Sequence, residues 1–334
     1  MSEFYEEYRG KKKRSPEPQP APKKKRSWGR RLMRFLLKLV GIYLCIMLLI
    51  TAALWALPAS FFAVEPDDME LSLQDGLPAG RANILLLGVD AENKYGTQRS
   101  DAILIASIGY DGLRLVSLMR DMVLDIPGHG REKLNAAYAH GGAELVMRTI
   151  NENFDMNIMR YAEVDFIRLI EMVDTLGGVD MSVTAAEMEQ VNANIDLSGR
   201  IFSEAGYSRT LLEEYGENVH LNGLQALGYA RIRKIDSDYQ RTNRQRKLLQ
   251  AMVTQARKNP IGLIRAAWIA LTGMESNISP AEMISLGTKV LVGGKMEQTR
   301  LPLEGTFDDN GSSLILQNIS QNTAGLYDFL YGDH

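Results

Sequence analysis

The chain has 334 residues, 45% hydrophobic and 24% charged, with one cysteine and four histidines. That length supports one sizeable core plus appendages, and a single cysteine excludes a disulfide framework and a Cys-based zinc site. Charge is unevenly placed: residues 1–38 hold 13 Lys/Arg against 4 Asp/Glu, and the remainder holds 25 against 37.

Residues 1–31, rich in Lys, Pro and Glu, cannot bury a core and are expected to be disordered. Leu39 to Leu57 is a run of 19 residues without a charge. At 1.5 Å per residue it nearly spans the ~30 Å hydrocarbon core of a bilayer. Arg34 and Lys38 can snorkel at one end, Trp55 sits near the other, and Pro58 closes the helix. The expected organisation is a basic cytoplasmic tail (1–38), a transmembrane helix (39–57), a linker (58–80) and an extracytoplasmic catalytic domain (81–334). A cleaved signal peptide is the rival reading, but its apolar region is normally shorter, about 7–15 residues. Positive-inside topology and anionic lipid account for the KKKR runs at 11–14 and 23–26 more simply than nucleic acid does.

Beyond the linker, Asn83–Asp90 reads as a strand buried on both faces. Ala102–Ile108 and Leu113–Leu118 read as two more, joined by the turn Tyr110-Asp111-Gly112. If the second strand also returns beside the first, the three form a meander. Asp90, Arg99, Asp101, Arg120 and Asp121 then converge at one edge of the sheet, where α/β proteins collect their sites. A helix is expected over 144–154, a strand over 161–166, and an amphipathic helix over 166–176, stopped by Gly177-Gly178. Residues 179–183 read as a strand, 185–220 as a long polar excursion, 221–227 as a short helix and 243–258 as a helix ending before Pro260. The rest gives further helices and a strand near 299–302. The expected fold is an α/β/α sandwich on a central mixed sheet.

The densest chemistry is YARIRKIDSDYQRTNRQR at 229–246. Tyr229, Arg231 and Arg233 alternate with period two, which predicts a strand carrying all three on one face. Arg241 and Gln245 are spaced to share a helix face, with Arg244 beside Arg241. Such forks and donors suit a diphosphate, because one carboxylate would leave most of the buried charge uncompensated. For Arg246 and Lys247 a solvated basic face is the expected role. Asp90 and Asp101 are candidates to hold a divalent ion such as Mg²⁺, and both read equally as turn residues after or before a strand. His129, His140, His220 and His334 have no metal-ligand spacing, Cys45 lies in the apolar run, and there is no G-x-S-x-G or Walker loop.

Taken together, NILLLGVD (83–90), RSDAILIAS (99–107), SLMRDMVLDIPG (117–128), KLNAAYAHGG (133–142), VDTLGGVDMSV (173–183), LNGLQALGYARIR (221–233) and DSDYQRTNRQRKLL (236–249) resemble the LytR-CpsA-Psr family of Gram-positive envelopes. The resemblance implies a Mg²⁺-dependent phosphotransferase. It would move a phospho-glycopolymer (a teichoic acid or capsule polysaccharide) from a polyprenyl-diphosphate carrier to a peptidoglycan hydroxyl. It implies Asp90 and Asp101 as metal ligands, and Arg99, Arg120, Lys133, Arg231, Arg233, Arg241, Arg244 and Gln245 around the diphosphate. Arg99, Asp101 and Arg120 would stand nearest the chemistry. Three positions depart from the pattern: Ala102, Met119 and Gln240 stand where the family often has Thr or Ser, Pro, and Gly. None of the three removes a charged group.

Overall fold

The computed structural model describes residues 28–56, 69–78, 80–89, 100–197, 202, 206–233, 235 and 238–332. The chain divides into two compact units, Met1–Ala56 and Leu57–His334. In the first, helix α1 (Trp28–Ala56) begins well before the expected span and takes in the end of the basic tail, so residues 28–31 are helical rather than disordered. Leu32, Phe35, Leu36, Leu39, Val40 and Ile42 are exposed on it. Among the described residues no helix is long and apolar enough to cross a membrane. The side chains of 50–56, Trp55 included, lie outside the described set, as does most of the linker.

The second unit opens with β1 (Ala82–Val89), β2 (Ser100–Ile108) and β3 (Gly112–Leu118), which form the expected antiparallel meander. The chain continues through β4 (Met122–Ile126), β5 (Gly130–Lys133), α2 (Leu134–Phe154), β6 (Arg160–Asp165) and α3 (Phe166–Leu176). Next come β7 (Val179–Val183), α4 (Ala185–Leu197), β8 (Gly216–Leu221), α5 (Gly223–Ala230), α6 (Asp238–Lys258) and α7 (Pro260–Gly273). It ends with β9 (Glu275–Ser276), α8 (Pro280–Val292), β10 (Lys295–Leu301), β11 (Phe307–Asp309), β12 (Leu314–Leu316) and α9 (Ile319–Tyr331).

The central sheet has the order β10-β3-β2-β1-β6-β9 and is mixed. β1 pairs parallel with β6 and β3 parallel with β10, while the other neighbours are antiparallel. Period-two alternation divides its side chains between two cores. Leu85, Leu87, Ile103, Ile105, Val116 and Leu118 pack with α2 and α9. Ile84, Ala106, Ile108, Leu113 and Leu115 face α6 and α8. This is the expected sandwich. A third core joins α3, α4, α5 and α6 to the β7–β8 ribbon. The region 185–220 is therefore more structured than its polar composition suggested. Its α4 holds Val191 and Ile195 inward, and its end is strand β8.

Two segments differ from the sequence reading in ways that shape the site. Residues 229–233 are not a strand. The Asn222 side chain accepts from the Gln225 N–H while the Gln225 side chain accepts from the Asn222 N–H, a capping box that starts α5. That helix runs to Ala230 with Tyr229 fully buried, and the chain leaves it at Arg231 (φ −94°, ψ 2°). Three alternating residues are too few to decide between periods of 2 and 3.6. Helix α2 also starts earlier than expected. Its first stretch, Leu134–His140, is set off by a non-helical break at Gly141 and Gly142, the latter at φ 61°.

Candidate active site at the open edge of the meander

The meander places the start of β2 beside the end of β3. Asp101 and the first residues after β3 therefore meet although they are far apart in sequence. Arg120 Nη1 donates to Asp101 Oδ1 at 2.7 Å, and Arg233 Nη2 donates to Asp101 Oδ2 at 2.6 Å. Arg241 Nη2 reaches the Asp101 carbonyl at 3.3 Å and the Asp238 carboxylate at 3.0 Å. Arg120 also stands 3.4 Å from Asp121 and 3.7 Å from Asp238. Asp121 in turn accepts from Lys133 Nζ at 3.0 Å. Arg231 lies over the Phe166 ring, 4.5 Å from its centroid, at the start of α3. Among the described residues, Arg120, Lys133, Arg233 and Arg241 pair with Asp101, Asp121 and Asp238, while Arg231 and Asp165 line the cavity behind them.

Burial by itself raises the Asp101 pKa, but Arg233, Arg120 and Arg241 outweigh it and hold the carboxyl below the usual carboxylate range. Arg241 is 1% exposed, and burial pulls its guanidinium down to about 10. Its Nε and Nη1 are buried without a hydrogen-bond partner. Although Asp238 pairs with its Nη2, each buried donor left unbonded costs about 1–3 kcal/mol.

Behind this cluster lies a cavity of about 150 Å³. Arg231, Arg233, Arg241, Gln245 and Asp101 form its polar end. Its walls are apolar: Leu86 and Leu104 from the sheet, Leu169 and Met172 from α3, and Leu248, Leu249 and Met252 from α6. A charged head sits at one end of a hydrocarbon slot.

The other expected site residues divide as follows. Asp90 and Arg99 lie outside the described residues. Arg244 is buried on a different side of α6, where its Nε donates to Glu187 Oε1 of α4 at 2.8 Å. It does not line the cavity. Arg246, expected on a solvated face, is buried at 7% exposure, whereas Lys247 is exposed. The reason is the pitch of the helix: residue 246 turns toward β3 and β10, not outward. Asp238 is a member of the cluster; its i,i+3 spacing to Arg241 was a readable signal. Glu187 and Phe166 carried none, being distant in sequence from the arginines they meet. Among the described residues no group of three or more His, Cys, Asp or Glu could hold a metal. Asp101 is an ionised oxygen donor of the kind Mg²⁺ takes, and both of its oxygens are engaged by Arg120 and Arg233.

A cluster of guanidiniums and carboxylates thus stands at the mouth of an apolar slot on an α/β/α sandwich. The sequence model of the LytR_cpsA_psr family matches residues 63–325. The chain belongs to that family. It is 30% identical to "Regulatory protein MsrR" of Staphylococcus aureus over 266 residues, 76% of each chain. It is 32% identical to "Polyisoprenyl-teichoic acid–peptidoglycan teichoic acid transferase TagU" of Enterococcus faecalis over 241 residues, 69% of this chain and 73% of the relative. Among solved structures, "TagT bound to LI-WTA" aligns with TM-score 0.63 and 24% identity over 80% of this chain and 97% of that one. TagT with bound octaprenyl pyrophosphate aligns with TM-score 0.59 and 22% identity over 80% of this chain and 98% of that one. At these identities the structural matches establish the shared fold.

Proposed function

We propose that the protein transfers a phospho-glycopolymer from a polyprenyl-diphosphate carrier to a hydroxyl of peptidoglycan. The observation that carries this reading is the pair of buried, unpartnered Arg241 nitrogens at the polar end of an apolar cavity. The guanidiniums of Arg120, Arg231, Arg233 and Arg241 would grip the diphosphate, with Gln245 and Lys133 beside them. Arg99, matched by family resemblance, belongs to the same set. The acceptor hydroxyl oxygen forms a bond to the sugar-linked phosphorus, and its proton passes to the departing polyprenyl phosphate. The bond from that phosphorus to the bridging oxygen breaks, and polyprenyl phosphate leaves. Such a reaction needs positioning and positive charge on the phosphoryl oxygens more than covalent work by the protein. Asp101, with Asp90, would hold Mg²⁺, which supplies further charge neutralisation. The paired Asp101 carboxylate orients Arg120 and Arg233 so that both forks open toward the same point.

The cavity holds only a short stretch of hydrocarbon as it stands, so a long prenyl tail would enter by parting α3 from α6. A membrane-anchored chain suits such a substrate. The 29-residue helix α1, with its exposed apolar side chains and the uncharged run 39–57, supports an anchor with a cytoplasmic N-terminus and the second unit outside. The TagU relative's name and the lipid-bound TagT structure support the chemistry.

The test is transfer from a synthetic polyprenyl-diphosphate saccharide to peptidoglycan oligomers, with Mg²⁺. Wild type should transfer. Arg233→Ala and Asp101→Asn should lose at least ~100-fold, on the scale of removing one charge-stabilising donor. Because Arg233 is half exposed, its variant should melt like wild type. Unchanged rates in both would overturn the site. Diphosphate binding or hydrolysis without transfer by the wild type would favour the alternative, a carrier-binding protein or pyrophosphatase.

A further inference from the structure

Helix α6 turns about 100° per residue, so residues 239, 242, 246 and 253 share a face roughly a quarter-turn from Arg241 and Gln245. That face lies on the sheet: Val253 packs with the core above β3, and Thr242 Oγ1 stands 3.8 Å from Met119 Sδ. Opposite it, Ser117 of β3 and Arg300 of β10 are registered partners, so their side chains emerge on the same face of the sheet. The Arg300 guanidinium covers the Tyr239 ring at 4.1 Å. Arg246 is 7% exposed, and among the described residues no carboxylate pairs with it. Its Nε and Nη1, Nη1 of Arg300 and Oγ of Ser117 are all buried without a hydrogen-bond partner. Arg300 uses its remaining terminal nitrogen on Glu304, an exposed residue.

We infer that Arg246, Arg300 and Ser117 form a second oxyanion site, for one phosphate-sized group, about a quarter-turn around α6 from the Arg241–Gln245 face. The buried Arg246 guanidinium has the half-buried Arg300 as its charged neighbour, and among the described residues Arg300 is paired only with the exposed Glu304, an arrangement that an anion would stabilise. Donors converge from a helix and two strands. A planar carboxylate would use one fork, while a tetrahedral oxyanion presents oxygens to all three. Burial and the neighbouring Arg300 lower the Arg246 pKa, and no charge of the diphosphate cluster acts on it. Glu304 competes with the anion for Arg300. The ligand is a phosphate group, free or as a phosphodiester within a polymer. The inference does not depend on the transferase reading.

The test uses the full chain in detergent and an Arg231→Ala/Arg233→Ala background that disables the first cluster. Orthophosphate is titrated by calorimetry. One site should persist in that background. Arg300→Gln should weaken it roughly tenfold, the scale of a charge-assisted hydrogen bond. Glu304→Gln should strengthen it about threefold, the scale of an exposed ion pair. Both residues have exposed side-chain surface, so neither variant threatens the fold as Arg246→Gln would. Competition by glycerol phosphodiesters would assign the site to a polymer phosphate, and competition by orthophosphate alone to the free ion. Loss of all phosphate binding in the background, or a residual affinity that neither substitution moves, would overturn the site.

Discussion

The arginines of residues 229–246 look alike in sequence and do different work because each meets a different neighbour. Arg233 is half exposed and holds Asp101, so its loss should remove activity and spare stability. Arg244 is the reverse case. Its pair with Glu187 is buried on both sides, with side-chain exposures of 5% and 13%. Arg244→Ala should therefore destabilise the fold by about 3 kcal/mol by leaving Glu187 uncompensated. Thermal melts should show this, and Glu187→Gln on top of it should recover part of the loss; a melt equal to wild type would refute the pairing. A carboxyl on the other face of the sheet gives a pH signature. Burial pushes Glu163 up to about 7, against a hydrogen bond from Tyr138 and with the charge of Glu275 adding to the rise. The folded state thus binds a proton that the unfolded chain releases near 4.5. Stability from this group is full below that value and is lost as pH rises toward 7, by roughly 3 kcal/mol in all. Urea unfolding of Glu163→Gln should show a flatter profile between pH 4.5 and 7 than wild type.

At the scale of elements, the site exists because β2 and β3 turn back on each other at Gly112. This residue is at φ 139°, and a Cβ there would meet the Lys295 carbonyl oxygen at 2.1 Å. Gly112→Ala should cost at least ~2 kcal/mol, combining overpacking with an unfavourable backbone region. The β3–β10 pairing should loosen first, read as faster amide exchange at Leu115 and Ser117; unchanged exchange would mean the turn relaxes elsewhere. Helix α6 distributes its charges by pitch alone: Arg241 and Gln245 to the cavity, Arg244 to α4, Arg246 to β3 and β10. The hairpin and the α3 stop at Gly177-Gly178 were legible because turn glycines and alternating apolar runs act locally. The 229–233 strand was misread because its alternation is short and the α5 capping box seven residues upstream governs it.

For the whole molecule, the layout joins a sheet edge rich in charge to a slot between α3 and α6 that is lined with hydrocarbon. Filling the slot should separate the two functions. Met172→Trp should weaken binding of a long prenyl diphosphate by tenfold or more, on the scale of one misplaced large side chain. A short-chain diphosphate should bind as before, since the arginines are untouched. Equal losses for both ligands in a binding assay would place the tail elsewhere. The sequence by itself determined the sandwich class, the three-strand meander and the presence of a clustered arginine set, because hydrophobic period and clustered charge are local properties. Only the tertiary structure decided which arginines meet the cavity. That assignment depends on helix pitch and on partners such as Asp101 and Glu187, which lie from 57 to more than a hundred residues away. Burial decides whether a guanidinium awaits an anion, and burial is set by the packing of the whole domain.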